Sequence, residues 1–120
     1  MARRQLKIMR NPAHPYYIPR SYKHDTAFRK NHDERPEIYD DICSELRKWK
    51  NEYGLKSVGI AFIWERLRQR YIIKKIRGSD FKLNNNFKGA YARVVMNNEP
   101  DLVGFITLRD LRSTEIGTAP

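Results

Sequence analysis

The sequence predicts a mainly α domain of three helices with a small β element, carried behind a flexible basic N-terminal arm. Three observations predict it. Apolar residues recur at helical spacing in three successive segments between residues 36 and 98. Pro12, Pro15 and Pro19 interrupt any regular element in the first 35 residues. A short alternating stretch, Val103 to Leu108, reads as a strand. The expected division is an arm over 1–35, a helical domain over 36–112 and a frayed tail over 113–120. At 120 residues there is room for one domain, and 40% hydrophobic against 32% charged residues leaves it a small core.

The arm holds nine basic and three acidic residues, with Tyr16, Tyr17, Ile18 and Tyr22 set among Arg20, Lys23, Arg29 and Lys30. Neither the helical nor the strand period is visible there. Helix one is expected from about Pro36 to Tyr53. Pro36 suits a first turn, and Glu37, Asp40 and Asp41 oppose the positive end of the helix dipole. Ile38, Ile42, Leu46, Trp49 and Tyr53 form its core stripe, and Gly54 ends it. Helix two is expected from the N-cap candidate Ser57, with Ile60, Ile63, Trp64, Leu67 and Tyr71 facing inward. The β-prone run at 72–77 continues it or forms a short strand, and Gly78-Ser79-Asp80 turns the chain. Helix three starts at one of Asn84, Asn85 or Asn86, buries Phe87, Ala90, Tyr91, Val94 and Val95, and stops before Pro100.

Charge is the strongest functional cue. The net charge is +10, and the stretch from Lys56 to Ser79 holds seven basic residues against the single acid Glu65. Such a surplus attracts phosphates and acidic surfaces through long-range fields. Arg66, Arg70 and Lys74 recur every four residues on helix two, with Arg68, Lys75 and Arg77 beside them. A polyanion surface there requires these groups to stand together in solvent, free of Asp40, Asp41 and Glu45. The lone cysteine, Cys43, excludes an internal disulfide and fits a reducing compartment, so a cytoplasmic location is expected. No run approaches the ~18 apolar residues of a membrane span, and the N-terminal ARRQLKIMRNP has no apolar region of a secretory signal.

The order of three helices and then a strand, with extended segments near 72–77 and 103–108, resembles helix-turn-helix and winged-helix nucleic-acid-binding domains over residues 36–112. The loop from Gly78 to Asn84 is longer than the tight turn of that motif. The string GSDFKLNNNFKGAYARVVMNNEPDLVGF also resembles segments of small uncharacterised phage and prophage proteins, which suggests a phage-related regulator or accessory factor. The first resemblance implies that helix three enters a major groove with Asn84, Asn85, Asn86 and Lys88 at base edges. An asparagine amide bonds adenine bidentately, a discrimination of about 1–3 kcal/mol. Three asparagines in a row equally suit a capped loop. Arg66, Arg68, Arg70, Lys74, Lys75, Arg77 and Arg93 would meet phosphates, joined by Arg20 and Lys23 of the arm. Six such contacts give a log–log salt slope of roughly −5 on duplex DNA.

The alternative partner is an acidic protein surface, met by arginines and by the tyrosines of the arm, as an inhibitor or assembly factor would do. An enzyme is not expected. The pairs His24-Asp25 and His32-Asp33 are eight residues apart, which matches no helical face and no zinc pattern. The six glycines are scattered and form no phosphate loop, and no cofactor or metal is implied. The basic amphipathic helix two suits anionic headgroups, but its apolar stripe is needed for the core, so no membrane role is expected.

Overall fold

A computed structural model describes residues 7–76 and 83–107, with 73–76 and 85 described by backbone alone. Four α-helices and a two-stranded sheet are formed among the described residues: α1 (Asp25–Glu34), α2 (Glu37–Arg47), β1 (Val58–Gly59), α3 (Ile60–Ile76), α4 (Lys88–Asn98) and β2 (Ile106–Thr107). The mainly helical expectation therefore holds, with one helix more and a different sheet.

The core is built around α4. All residues from Ala90 to Met96 are buried, so this helix is enclosed on every side. Tyr91 sits at its centre, fully buried, with its ring centroid 4.7 Å from Phe28 of α1 and 5.8 Å from Trp64 of α3. Burying one such side chain contributes about 1.5–3 kcal/mol. Its hydroxyl accepts a 2.9 Å hydrogen bond from Asn31 Nδ2, and burial raises its pKa well above the usual phenol value. The expected faces of α2, α3 and α4 are all in this core, from Ile38, Ile42 and Leu46 through Ile63, Trp64 and Leu67 to Val94 and Val95.

The segment read as a flexible arm is a strap with a helix in it. Lys7 N donates to Asn98 Oδ1 at 3.1 Å, and Asn97 and Asn98 both donate to the Lys7 carbonyl. At the other end, Tyr22 Oη donates to the Asn86 carbonyl at 2.6 Å. The strap is thus tied to the last two residues of α4 at one end and to the turn just before α4 at the other. Between the ties, Tyr16 Oη accepts from Gly104 N, and Ile18 and Tyr22 are buried. Helix α1 follows at Asp25. Its buried apolar anchor is Phe28, too sparse a pattern to signal a helix by periodicity. Tertiary contact supplies what local pattern lacks.

Three further expectations change. Helix one ends as a π-helical turn over Lys48–Glu52, closed by Tyr53 N to Lys48 O at 3.4 Å. The wider turn rotates the following residues off the core stripe, and Tyr53 is left 56% exposed. Gly54 then stops the chain with φ of 68°, as its position suggested. The strand expected at 72–77 is absent over 72–76, where α3 continues to Ile76; Arg77 lies outside the described residues. Extending an existing helix adds one bond per residue fixed, and the partner such a strand needed is already taken. That partner, β2, covers Ile106–Thr107 and pairs in parallel with Val58–Gly59, where the start of helix two was expected. The crossover that parallel pairing demands is supplied by α3 and α4.

Candidate nucleic-acid interface

The basic face of α3 is compensated by α2. Asp41 and Glu45 lie four apart on α2, and Arg66 and Arg70 lie four apart on α3. Packing the two helices sets one ladder against the other. Arg66 Nε is 3.6 Å from Glu45 Oε1, and Arg70 reaches Glu45 Oε2 at 3.4 Å and Asp41 Oδ1 at 3.6 Å. Glu45 is 5% exposed and also accepts from Trp49 Nε1 at 3.0 Å. Tyr71 donates a short hydrogen bond to Asp41. Burial, and then that bond, hold its hydroxyl protonated far above the usual phenol range. Arg68 is spent on Glu65 at 3.0 Å. Arg66, Arg68 and Arg70, expected to stand free of acids, thus each have a carboxylate beside them while keeping 31–41% of their side chains in solvent. The side chains of Lys74 and Lys75, and all of Arg77, lie outside the described residues.

A general division runs through the described surface. Arginine is used for internal pairing. Arg10, Arg29, Arg35, Arg47, Arg66, Arg68 and Arg70 each have a carboxylate at 2.7–3.9 Å. Arg47 binds both Glu99 and Asp101 from α2, and Tyr39 donates to the second oxygen of Glu99 at 2.7 Å. These contacts fasten α2 to the turn after α4. The hydrogen bonds that Arg47 donates to Asp101, and then to Glu99, push its pKa up, and Arg47 holds Asp101 below the usual carboxylate value. Arg93 is 4% exposed and donates to the Gly89 carbonyl at 2.9 Å, so it braces its own helix and offers no phosphate contact.

Among the described residues Arg20, Lys23 and Lys88 form no ion pair, and Arg20 and Lys23 are exposed. The Tyr22–Asn86 bond puts them beside the start of α4. His24 stands edge-on to Phe87 with centroids 6.5 Å apart, and Phe28 packs on the same ring at 6.1 Å. Asn84 Oδ1 accepts from Asn86 N at 2.9 Å and caps the helical turn Asn85–Phe87 that leads into α4. That cap uses the oxygen of Asn84; Asn84 and Asn86 are exposed and Lys88 is half-buried. The Tyr22–Asn86 bond and the His24–Phe87 contact thus bring the end of the strap beside the start of α4, two elements that are separate in the sequence.

Of the histidine–aspartate pairs, Asp25 and His32 are taken up in packing. Asp25 is buried against Arg10 and Arg29, and His32 lies edge-on to Tyr39 and Tyr91. Among the described residues no group of three His, Cys, Asp or Glu side chains is placed to hold a metal ion. No helix among them is long and apolar enough to cross a membrane. The tyrosines proposed as arm contacts point inward: Tyr22 is buried, and Tyr16 and Tyr17 are partly so. A different aromatic group, Trp49, Tyr53 and Phe62, reaches the surface instead. The expected core stripe includes Trp49 and Tyr53: Trp49 is partly buried and packs against the core, whereas Tyr53, at the end of the π turn, is exposed. No protein-family model, no curated protein and no solved structure matches the chain.

Proposed function

We propose that the chain is a small nucleic-acid-binding protein, with duplex DNA ahead of RNA, and that Arg20, Lys23 and Lys88 grip the backbone while Asn84 and Asn86 meet base edges. The observation that carries this is the Tyr22–Asn86 hydrogen bond. It brings the strap beside the start of α4, and this supports a reading in which cations with no ion pair among the described residues and exposed asparagines act together, as positioning and reading require. The field of the +10 chain supplies the long-range attraction. The helix-turn-helix expectation narrows accordingly. The body of α4 is enclosed, so reading falls to its first turn and the residues before it. The arginines of α3 are left out of the contact, and no catalytic step is proposed.

The test is an electrophoretic shift of the purified chain with duplex DNA, single strands and RNA at two salt concentrations. Binding to one or more at low salt, lost at high salt and displaced by heparin, is expected. No binding to any of them at low salt overturns the reading.

A further inference from the structure

A second surface lies beyond the end of α2. Residues 51–57 are all exposed, and the π turn before them places Trp49 with its centroid 4.6 Å from Tyr53 and 4.9 Å from Phe62. Leu55 N donates to the Trp49 carbonyl at 3.1 Å, which folds the loop back onto the same spot. Tyr53 is 56% exposed, Phe62 42% and Leu55 39%. Isolated exposed apolar residues are ordinary, but Tyr53 and Phe62 both pack on Trp49 and Leu55 is tied to its carbonyl, and contiguous apolar patches mark contact surfaces. The residue types, Trp and Tyr with Arg66 over the Trp49 ring at 5.9 Å, are those that dominate binding hot spots.

The rim indicates what fits. Lys48 borders the π turn and Lys56 borders the loop, and among the described residues neither forms an ion pair. Of the nearby acids, Glu45 is buried on Arg66 and Arg70 and Glu65 is paired with Arg68, while Glu52 of the π turn is exposed among Lys48, Lys50 and Lys56, so the rim keeps a basic balance. An occupant with carboxylates around apolar anchors is complementary to this arrangement. Stacked bases fit less well. One face of Trp49 is covered by Arg66, the Trp49–Phe62 pair meets at 77° and the Trp49–Tyr53 pair at 43°, and Leu55 has no ring. A stacking platform needs open, roughly parallel faces.

We propose that this patch docks an acidic segment of a partner protein, with apolar side chains seated over Trp49, Tyr53, Leu55 and Phe62 and carboxylates against Lys48 and Lys56. The site is separate from the surface formed by Arg20, Lys23 and Lys88, and it does not depend on the nucleic-acid reading.

The probe is a short labelled synthetic peptide with Leu and Phe at helical spacing and Glu elsewhere, followed by fluorescence anisotropy with the full chain. Control peptides carry Lys in place of Glu, or Ser in place of the apolar residues. Binding to the acidic apolar peptide alone is expected. Tyr53→Ser with Phe62→Ser should weaken it about tenfold or more. Lys48→Gln with Lys56→Gln should weaken it a few-fold and flatten its salt dependence. Circular dichroism establishes that the variants fold, and Tyr53→Ser alone serves if the double variant does not. Equal binding of the Lys peptide, or unchanged affinity in the folded Tyr53 variant, overturns the proposal. So does a dimer in sedimentation that the same substitutions dissolve, which assigns the patch to a second copy. Competition by oligo-dT that the same substitutions abolish assigns it to single strands and overturns it equally.

Discussion

The seam between α2 and α3 and the surface at the start of α4 carry the same kind of charge and use it differently. At the seam, Arg66 and Arg70 face Asp41 and Glu45 across two packed helices, and their charge joins one helix to another. At the start of α4, Arg20, Lys23 and Lys88 have no acid partner among the described residues, and their field reaches solvent. A basic run in a sequence therefore marks a ligand surface only after the acids of its packing neighbour have been subtracted. Most of the described arginines pair with a carboxylate, with Arg20 an exception. The planar guanidinium makes directed pairs to carboxylates, whereas the hydrated ammonium stays in water.

Breaking the exposed side should have the largest effect. Replacing Arg20, Lys23 and Lys88 together by Ala should lower DNA affinity about tenfold or more and reduce the salt slope by about three units, measured by titration at several salt concentrations. Arg66→Ala with Arg70→Ala should leave that slope nearly unchanged. A slope lost from the second variant and kept in the first would reverse the assignment of the two regions.

Next comes unbalancing the seam. Glu45→Gln removes a buried carboxylate that serves Arg66, Arg70 and Trp49, and should cost about 1–3 kcal/mol in denaturant unfolding. The same variant should bind DNA more tightly, because two arginines are released to solvent. A destabilised chain with unchanged affinity would show that proximity to Glu45 is not what keeps the seam silent.

Smaller still is the effect of untying the strap. Tyr22→Phe keeps the ring in the core and deletes the bond to the Asn86 carbonyl, for a loss of about 1 kcal/mol. DNA affinity should fall a few-fold, since the two halves of the surface are no longer held in register. Affinity equal to the parent chain would separate the strap from binding.

The least effect is expected from pH at Asp101. Arg47 lowers the folded-state pKa of Asp101, so this pair stabilises the fold above the unfolded carboxylate value and its contribution is lost as pH falls through the folded one. Asp101 is half-exposed, so solvent screens the gain. Melting temperature should fall on acidification below about pH 4, and Asp101→Asn should narrow that fall slightly. An identical acid profile in the variant would remove Asp101 from the acid response.

Much of the helical core was legible in the sequence, because Ile38, Ile42, Leu46, Ile63, Trp64, Leu67, Tyr91, Val94 and Val95 recur with the period of an α-helix. Gly54 was legible as a stop because a positive φ suits glycine. Helix α1 was hidden because one phenylalanine makes no period. Tyr53 was misplaced because a π turn changes the phase of a stripe without leaving a mark in composition. The pairing of Val58 with Ile106 was hidden because it joins residues 48 positions apart through two-residue strands. On the candidate surface, Asn84 as a cap was readable from local chemistry, but its meeting with Arg20 and Lys23 was not, since that depends on a bond across 64 positions. The ladder of Asp41 and Glu45 against Arg66 and Arg70 left a usable trace: matched four-residue spacings of opposite sign on helices expected to pack.

The lashing of Lys7 to Asn98 has a consequence for how the chain is made. The tie spans 91 positions, so the first described residues to leave the ribosome must wait for nearly the last before they find their place. Until Asn97 and Asn98 emerge this tie cannot form, so the amino end of the strap is fastened only once α4 is complete. A protein extended at its amino end by a bulky fusion would carry that load at the point where this closure begins.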